Sequence, residues 1–141
     1  VFTQIVVGAD SSDTAREAVR KATELAKATG AQLHILTALN IETGPSRAHG
    51  GGYVEHDGPA KPLLDDLRSY ADELGVECTL HHESGEPAEA LIRVAADLGA
   101  DLVVVGNRGM KGVRRVLGSV PNSVAHGAHC SVLILDTMGD A

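Results

Sequence analysis

Tryptophan is absent from this chain, and two tyrosines and one phenylalanine bring the aromatic share to only 2 %. A core must therefore be assembled from Ala, Val, Leu and Ile, and the scarcity argues against a base-stacking platform for single-stranded nucleic acid. Cysteine is equally scarce. Cys78 and Cys130 show neither a CxxC nor a metal-ligand spacing, which argues against a disulfide scaffold or a zinc ribbon and suits reduced thiols in a cytoplasmic protein. Positive charge is in deficit, with 12 Lys and Arg against 19 Asp and Glu and a net charge of −7. A bulk electrostatic grip on nucleic acid or on an anionic membrane does not fit that balance. No window reaches the ~18–20 apolar residues of a membrane span. The first residues carry no basic stretch followed by a signal-like apolar run.

What is present is a regular alternation of short apolar runs and amphipathic stretches. The 141 residues suit one domain, residues 1–141, with one core. The β-branched run Thr3–Ala9 reads as a buried strand. A capping box, Thr14 to Glu17, precedes a helical stripe of Ala15, Ala18, Val19, Ala22, Leu25 and Ala26, with Gly30 as its stop. Ala31–Leu39 is the second strand. Asn40–Pro62 is polar and rich in Gly and Pro, a loop insertion expected to be flexible and long enough to be functional. Leu63 to Leu74 marks the second helix and Val76–Ser84 the third strand. Gly85-Glu86-Pro87 opens a third helix, which Gly99 closes. Asp101–Gly106 is the fourth strand, Val120, Val124 and Ala125 belong to a short fourth helix, and Ser131–Thr137 is the fifth strand.

Strict alternation of strands and helices predicts an α/β fold: a doubly wound, five-stranded parallel sheet with helices on both faces. In the common arrangement the strand order is 3-2-1-4-5, and ligands settle outside the carboxyl ends of the strands where the winding reverses. Those ends are Gly8-Ala9-Asp10 and Gly106-Asn107-Arg108-Gly109.

The second of these ends opens the segment Val103–Ser119, in which glycines and basic residues are concentrated. Lys111, Arg114 and Arg115 fall within five positions, with Arg108 just before them. Glycines let a ligand approach backbone N–H groups closely, and successive N–H groups form an anion nest. Gly118-Ser119 then stands at a helix start, with Ser119 suited to the N-cap and Pro121 to the first turn. These parts describe a cradle for a polyphosphate. By spacing alone they also describe turns and a cap, since neither GxxxxGK[ST] nor GxGxxG is present.

The stretch "VVVGNRGMKGVRRVLGSVPNSVAHGAHCSVLIL" resembles the C-terminal signature of the universal stress protein family. "IVVGADSSDTAREAV" and "SGEPAEALIRVAADLGADLVVVGNRG" resemble that family's first strand with its aspartate and helix, and its third helix with its fourth strand. The resemblance implies an ATP-binding, or related adenine-nucleotide-binding, stress-response protein, with Mg²⁺ and with the nucleotide as regulatory ligand. It places Gly106, Gly109, Gly118, Ser119 and Val120 around the phosphates, with Arg108, Lys111 and Arg114 beside them. It places Asp10 and the Ala38 backbone at the adenine or ribose end, where Gly8 and Ala9 leave room for the base. Only eight residues, 110–117, separate Gly109 from Gly118, one fewer than in the family's motif. One deleted residue turns a helical segment by ~100° and re-aims the basic side chains between the glycines. The alternatives are a slow ATP hydrolase and a nucleotide-free dimeric interaction module. No Glu or Gln stands beside the glycines to orient water.

The fifth strand, Val132–Leu135, is expected to be an exposed apolar edge, and the resemblance implies a homodimer joined across it. Cys78 and Cys130 fall on opposite sheet edges in this order, ~19 Å apart at four strand spacings, too far for a disulfide. No three of the seven histidines have ligand spacing, so no metal site is expected from them.

Overall fold

A computed structural model describes residues 1–9, 13–39, 65–107 and 119–137. The strands are β1 (Gln4–Gly8), β2 (Gln32–Leu39), β3 (Cys78–Ser84), β4 (Leu102–Gly106) and β5 (Ser131–Leu135). The helices are α1 (Asp13–Thr29), α2 (65–73), α3 (Pro87–Leu98) and α4 (Ser119–Gly127). The strands form one five-stranded sheet in the order β3-β2-β1-β4-β5. All four pairings are parallel, as the alternating pattern predicts. Each strand lies inside the run expected for it. The Asn40–Pro62 insertion lies outside the described residues.

Because side chains alternate along a strand, the sheet splits its aliphatic residues between two layers. Ile5, Val7, Leu33, Ile35, Leu102 and Val104 pack with Ala18, Val19, Ala22 and Ala26 of α1 and with Leu67 and Ala71 of α2. Val6, Leu36, Val103 and Val105 pack with Ala88, Leu91, Val94 and Ala95 of α3 and Val124 of α4. Alanine on the helices and β-branched residues on the strands let the layers approach closely, so a core forms without aromatic bulk.

Local chemistry fixes where the helices begin and end. Glu86 caps α3 by accepting from the Glu89 N–H at 3.0 Å, and Pro87 takes the first turn, where no donor is needed. Gly99 ends α3 with φ at 67°, in the left-handed region open to glycine, while Ala100 N–H donates to the Ala95 carbonyl at 2.9 Å. Gly30 closes α1 in the same conformation, φ 75°.

Polar residues tie together the amino-terminal half of the sheet. The Asp101 carboxylate accepts from the Thr3 N–H at 2.9 Å, the Thr3 hydroxyl at 3.1 Å and the Gln4 N–H at 3.0 Å. Burial would raise its pKa, but these hydrogen bonds outweigh burial and hold it below the usual carboxylate value. On the α3 face, His34 is buried in β2. Its Nδ1 lies 3.0 Å from Nε2 of His81 and its Nε2 lies 2.7 Å from Oε1 of Gln4. Gln4 donates onward to Gln32 at 3.2 Å, and Gln32 donates to Glu77 at 3.2 Å. With Gln4 presenting its oxygen, His34 donates from Nε2 and accepts at Nδ1 from His81. Cys78 and Cys130 sit at the two outer edges and are both free. Burial pushes the Cys78 thiol up to about 11, partly opposed by Arg68, so it is not a reactive thiolate.

Burial, followed by the charge on His81, lowers the His34 pKa. Burial also lowers that of His81, against a raising influence from Glu83. The unfolded chain therefore binds more protons than the folded one just below the ordinary histidine value of 6.5. Stability is flat above about pH 7 and falls as pH drops through 6.5 toward the folded pKa values. Urea unfolding from pH 5 to pH 8 is expected to show this slope, and His81→Gln is expected to flatten it. An unchanged slope in the variant would contradict the assignment.

Candidate functional site

The winding reverses between β1 and β4, which pair side by side. From β1 the chain passes to α1 and β2 on one side of the sheet order, and from β4 to α4 and β5 on the other. Gly8 and Gly106 close their strands at this point. The Ala9 N–H continues the β1–β2 ladder by donating to the Leu36 carbonyl at 2.9 Å. Ala38 lies at the same carboxyl rim, on β2.

Of the residues expected at the site, Gly8, Ala9, Ala38, Gly106, Ser119 and Val120 are described. The structure gathers the first four along the carboxyl rim of β2, β1 and β4. Asp10, Arg108, Gly109, Lys111, Arg114 and Gly118 lie outside the described residues. The reason for glycine at position 8 is also supplied by packing. A Cβ there would stand 3.0 Å from Leu91 Cδ1, so Gly8 accommodates α3 on that face of the sheet.

α4 begins at Ser119, one residue earlier than an N-cap at that position implies. Its first turn carries no acidic residue. Ser119 is exposed, and Val120 and buried Val124 anchor the helix to the α3-side layer. The opening turn of a helix offers N–H groups without intrahelical acceptors and a partial positive charge, a setting for an anion.

Two residues at this rim escaped the sequence reading. Asn107, directly after β4, is 6 % exposed. Its Oδ1 accepts from the Thr137 N–H at 3.1 Å and the Thr137 hydroxyl at 3.2 Å, and its Nδ2 donates to Asp136 Oδ1 at 3.4 Å. The side chain thus locks the exit of β5 to the exit of β4. Thr37 is 4 % exposed, and its hydroxyl oxygen has no hydrogen-bond partner among the described residues. A lone Asn among loop residues and a Thr within an apolar strand give no sequence signal for either role. Among the described residues, no group of three or more His, Cys, Asp or Glu side chains is placed to hold a metal ion, and no helix is long and apolar enough to cross a membrane.

Strand order and the reversal at β1 and β4 define a doubly wound α/β protein, the class whose ligands settle beyond the carboxyl ends of the strands. Comparison with known proteins narrows the class. Residues 2–136 match the Universal stress protein family, and the chain belongs to that family. It is 32 % identical over 147 residues to the universal stress protein YxiE of Bacillus subtilis (strain 168), with 96 % of this chain and 99 % of YxiE covered. Among solved structures it is similar to a universal stress protein in complex with cAMP, at 33 % identity and a TM-score of 0.78, covering 96 % of this chain and 98 % of that one. It is also similar to the universal stress protein from Archaeoglobus fulgidus in complex with dAMP, at 26 % identity and a TM-score of 0.72, covering 95 % and 98 %.

Replacing Asn107 with Ala removes two bonds to Thr137 and leaves a buried gap between strand ends. Asn107→Ala is expected to cost about 1–3 kcal/mol in urea unfolding. It is also expected to speed amide exchange at Thr137 more than at Val7 in the sheet centre. Equal protection at Thr137 in the variant and the parent would contradict the lock.

Proposed function

We propose that this chain binds an adenine nucleotide, ATP or a related form, at the carboxyl rim of β1 and β4. The observation that carries the reading is the adjacency of β1 and β4, which brings Gly8 and Ala9 alongside the end of β4 at the winding reversal. The complexes of similar proteins with cAMP and dAMP support the ligand class.

In this reading the base and ribose lie over β1 and β2, with Asp10 and the Ala38 backbone at their polar edge and Ala9 beside them. The phosphates lie past β4, where Gly106, Gly109, Gly118, Ser119 and the Val120 amide surround them. Arg108, Lys111 and Arg114 neutralise their charge. Mg²⁺ would come with the phosphates, and the Ser119 hydroxyl would be the protein oxygen available to it. The donor set fits a polyphosphate, because it consists of backbone N–H groups, a hydroxyl and cations, with no acidic residue in the first turn of α4 to repel the anion. An ion brought in by the nucleotide also needs no cage of protein carboxylates. The nucleotide acts as a regulatory ligand rather than a substrate, in a cytoplasmic stress-response protein.

The same reading makes the protein a homodimer across β5. That strand is the outer edge of the sheet, and Val132, Leu133, Ile134 and Leu135 are only partly covered. An apolar edge of this kind is stabilised by pairing with a second copy.

Titration calorimetry with ATP, ADP, AMP and cAMP, with and without Mg²⁺, is expected to show saturable binding of one nucleotide per chain. Gly118→Val is expected to weaken it at least tenfold, about 1.4 kcal/mol. Sedimentation equilibrium of the same sample is expected to give a dimer. No saturable binding with any of the four nucleotides would overturn the reading.

A further inference from the structure

We propose that the Thr37 hydroxyl is a ligand contact that helps this site recognise the nucleoside part of its nucleotide; the inference rests on the binding reading above. Buried polar groups in proteins are almost always hydrogen-bonded, and an exception calls for an explanation. The other fully buried threonine, Thr23, follows the rule: its hydroxyl donates to the Val19 carbonyl at 2.7 Å. Thr29 does the same with the Leu25 carbonyl at 2.9 Å. Thr37 is also buried, at 4 % exposure, yet among the described residues its oxygen has no partner.

Packing alone does not explain a threonine here. Valine has the same shape, suits a strand at least as well, and carries no hydroxyl to desolvate. The position instead suggests why the hydroxyl is retained. Gly8 pairs with Leu36, and the Ala9 N–H donates to the Leu36 carbonyl, so Thr37 lies next to Ala9 at the carboxyl rim. It directly precedes Ala38. Alternation sets it on the face shared with Leu33 and Ile35, the face over which α1 runs after leaving the end of β1.

Strand order decides which part of the ligand it meets. β2 lies on the side of β1 away from β4, so Thr37 is about two strand spacings, ~10 Å, from the start of the glycine segment. Phosphates gathered there are out of its reach, whereas a ring nitrogen, the exocyclic amine or a ribose hydroxyl placed over β1 and β2 lies on its side of the rim. A hydroxyl both donates and accepts, so it can serve any of these groups. The unpaired hydroxyl destabilises the free protein, and the ligand relieves that cost on binding.

The inference has a signature that a structural threonine does not share. Thr37→Val is expected to raise the Tm of the ligand-free protein by about 3 °C while weakening the nucleotide about tenfold in calorimetry. Thr37→Ser is expected to keep the parent affinity. Titrating the 2′-deoxy and 1-deaza analogues against both proteins identifies the partner, because the analogue lacking it binds parent and Thr37→Val alike. Equal affinity of the parent and Thr37→Val for the intact nucleotide overturns the inference and leaves the binding reading standing. A lowered Tm in Thr37→Val overturns it by showing that the hydroxyl is paired in the free protein. A parent that binds no nucleotide overturns both.

Discussion

The pairing of β1 with β4 is the constraint on which the rest of this structure depends. A chain that wound steadily in one direction would carry β4 beyond β3. Here it returns to the other side of β1, and the register Ile5–Leu102, Val6–Val103, Val7–Val104 locks the return. The helices that follow the two strands, α1 and α4, pack on opposite faces of the sheet. Every proposed element of the site, from Asp10 to Ser119, follows from that one junction.

The two ends of the sheet use polar groups differently. At the amino-terminal end they are paired: Asp101 collects three donors, and His34, His81, Gln4 and Gln32 form a continuous chain. At the carboxyl end Asn107 fastens β4 to β5, while the Thr37 hydroxyl has no partner among the described residues. In the proposed reading the paired groups lie at the end away from the ligand and the orphan hydroxyl of Thr37 at the end that receives it. This distribution fits a protein whose ligand adds the last polar contacts to a frame that is already complete.

Much of the frame was legible in the residues. β-branched runs ending in glycine marked β1 and β4, and alanine-rich stripes marked α1 and α3. Strict alternation and the common doubly wound topology supplied the strand order. Gly30 and Gly99 announced helix ends because only a left-handed turn closes those helices without strain. What could not be read depends on contacts between distant elements. Gly8 reads as room for a base, and packing supplies a second reason that no local pattern shows: Leu91, more than eighty residues later, presses on one face of it. Histidine spacing gives no ligand set, and only the fold brings His34 and His81 into a hydrogen bond across adjacent strands. Asn107 and Thr37 are ordinary residues until the fold shows that one is fully bonded and the other is not.

Membership of the universal stress protein family fits the fold, and the shortened spacing between Gly109 and Gly118 marks where this chain departs from the family's glycine motif. The central claim is that backbone at the β1–β4 reversal receives the nucleotide. Amide NMR during an ATP titration tests it most directly. The account predicts that shifts concentrate at Ala9, Ala38, Gly106, Asn107, Ser119 and Val120, with Thr3, Leu74 and Asp101 at the far end unmoved. Shifts confined to that far end, or spread evenly over the sheet, would contradict it.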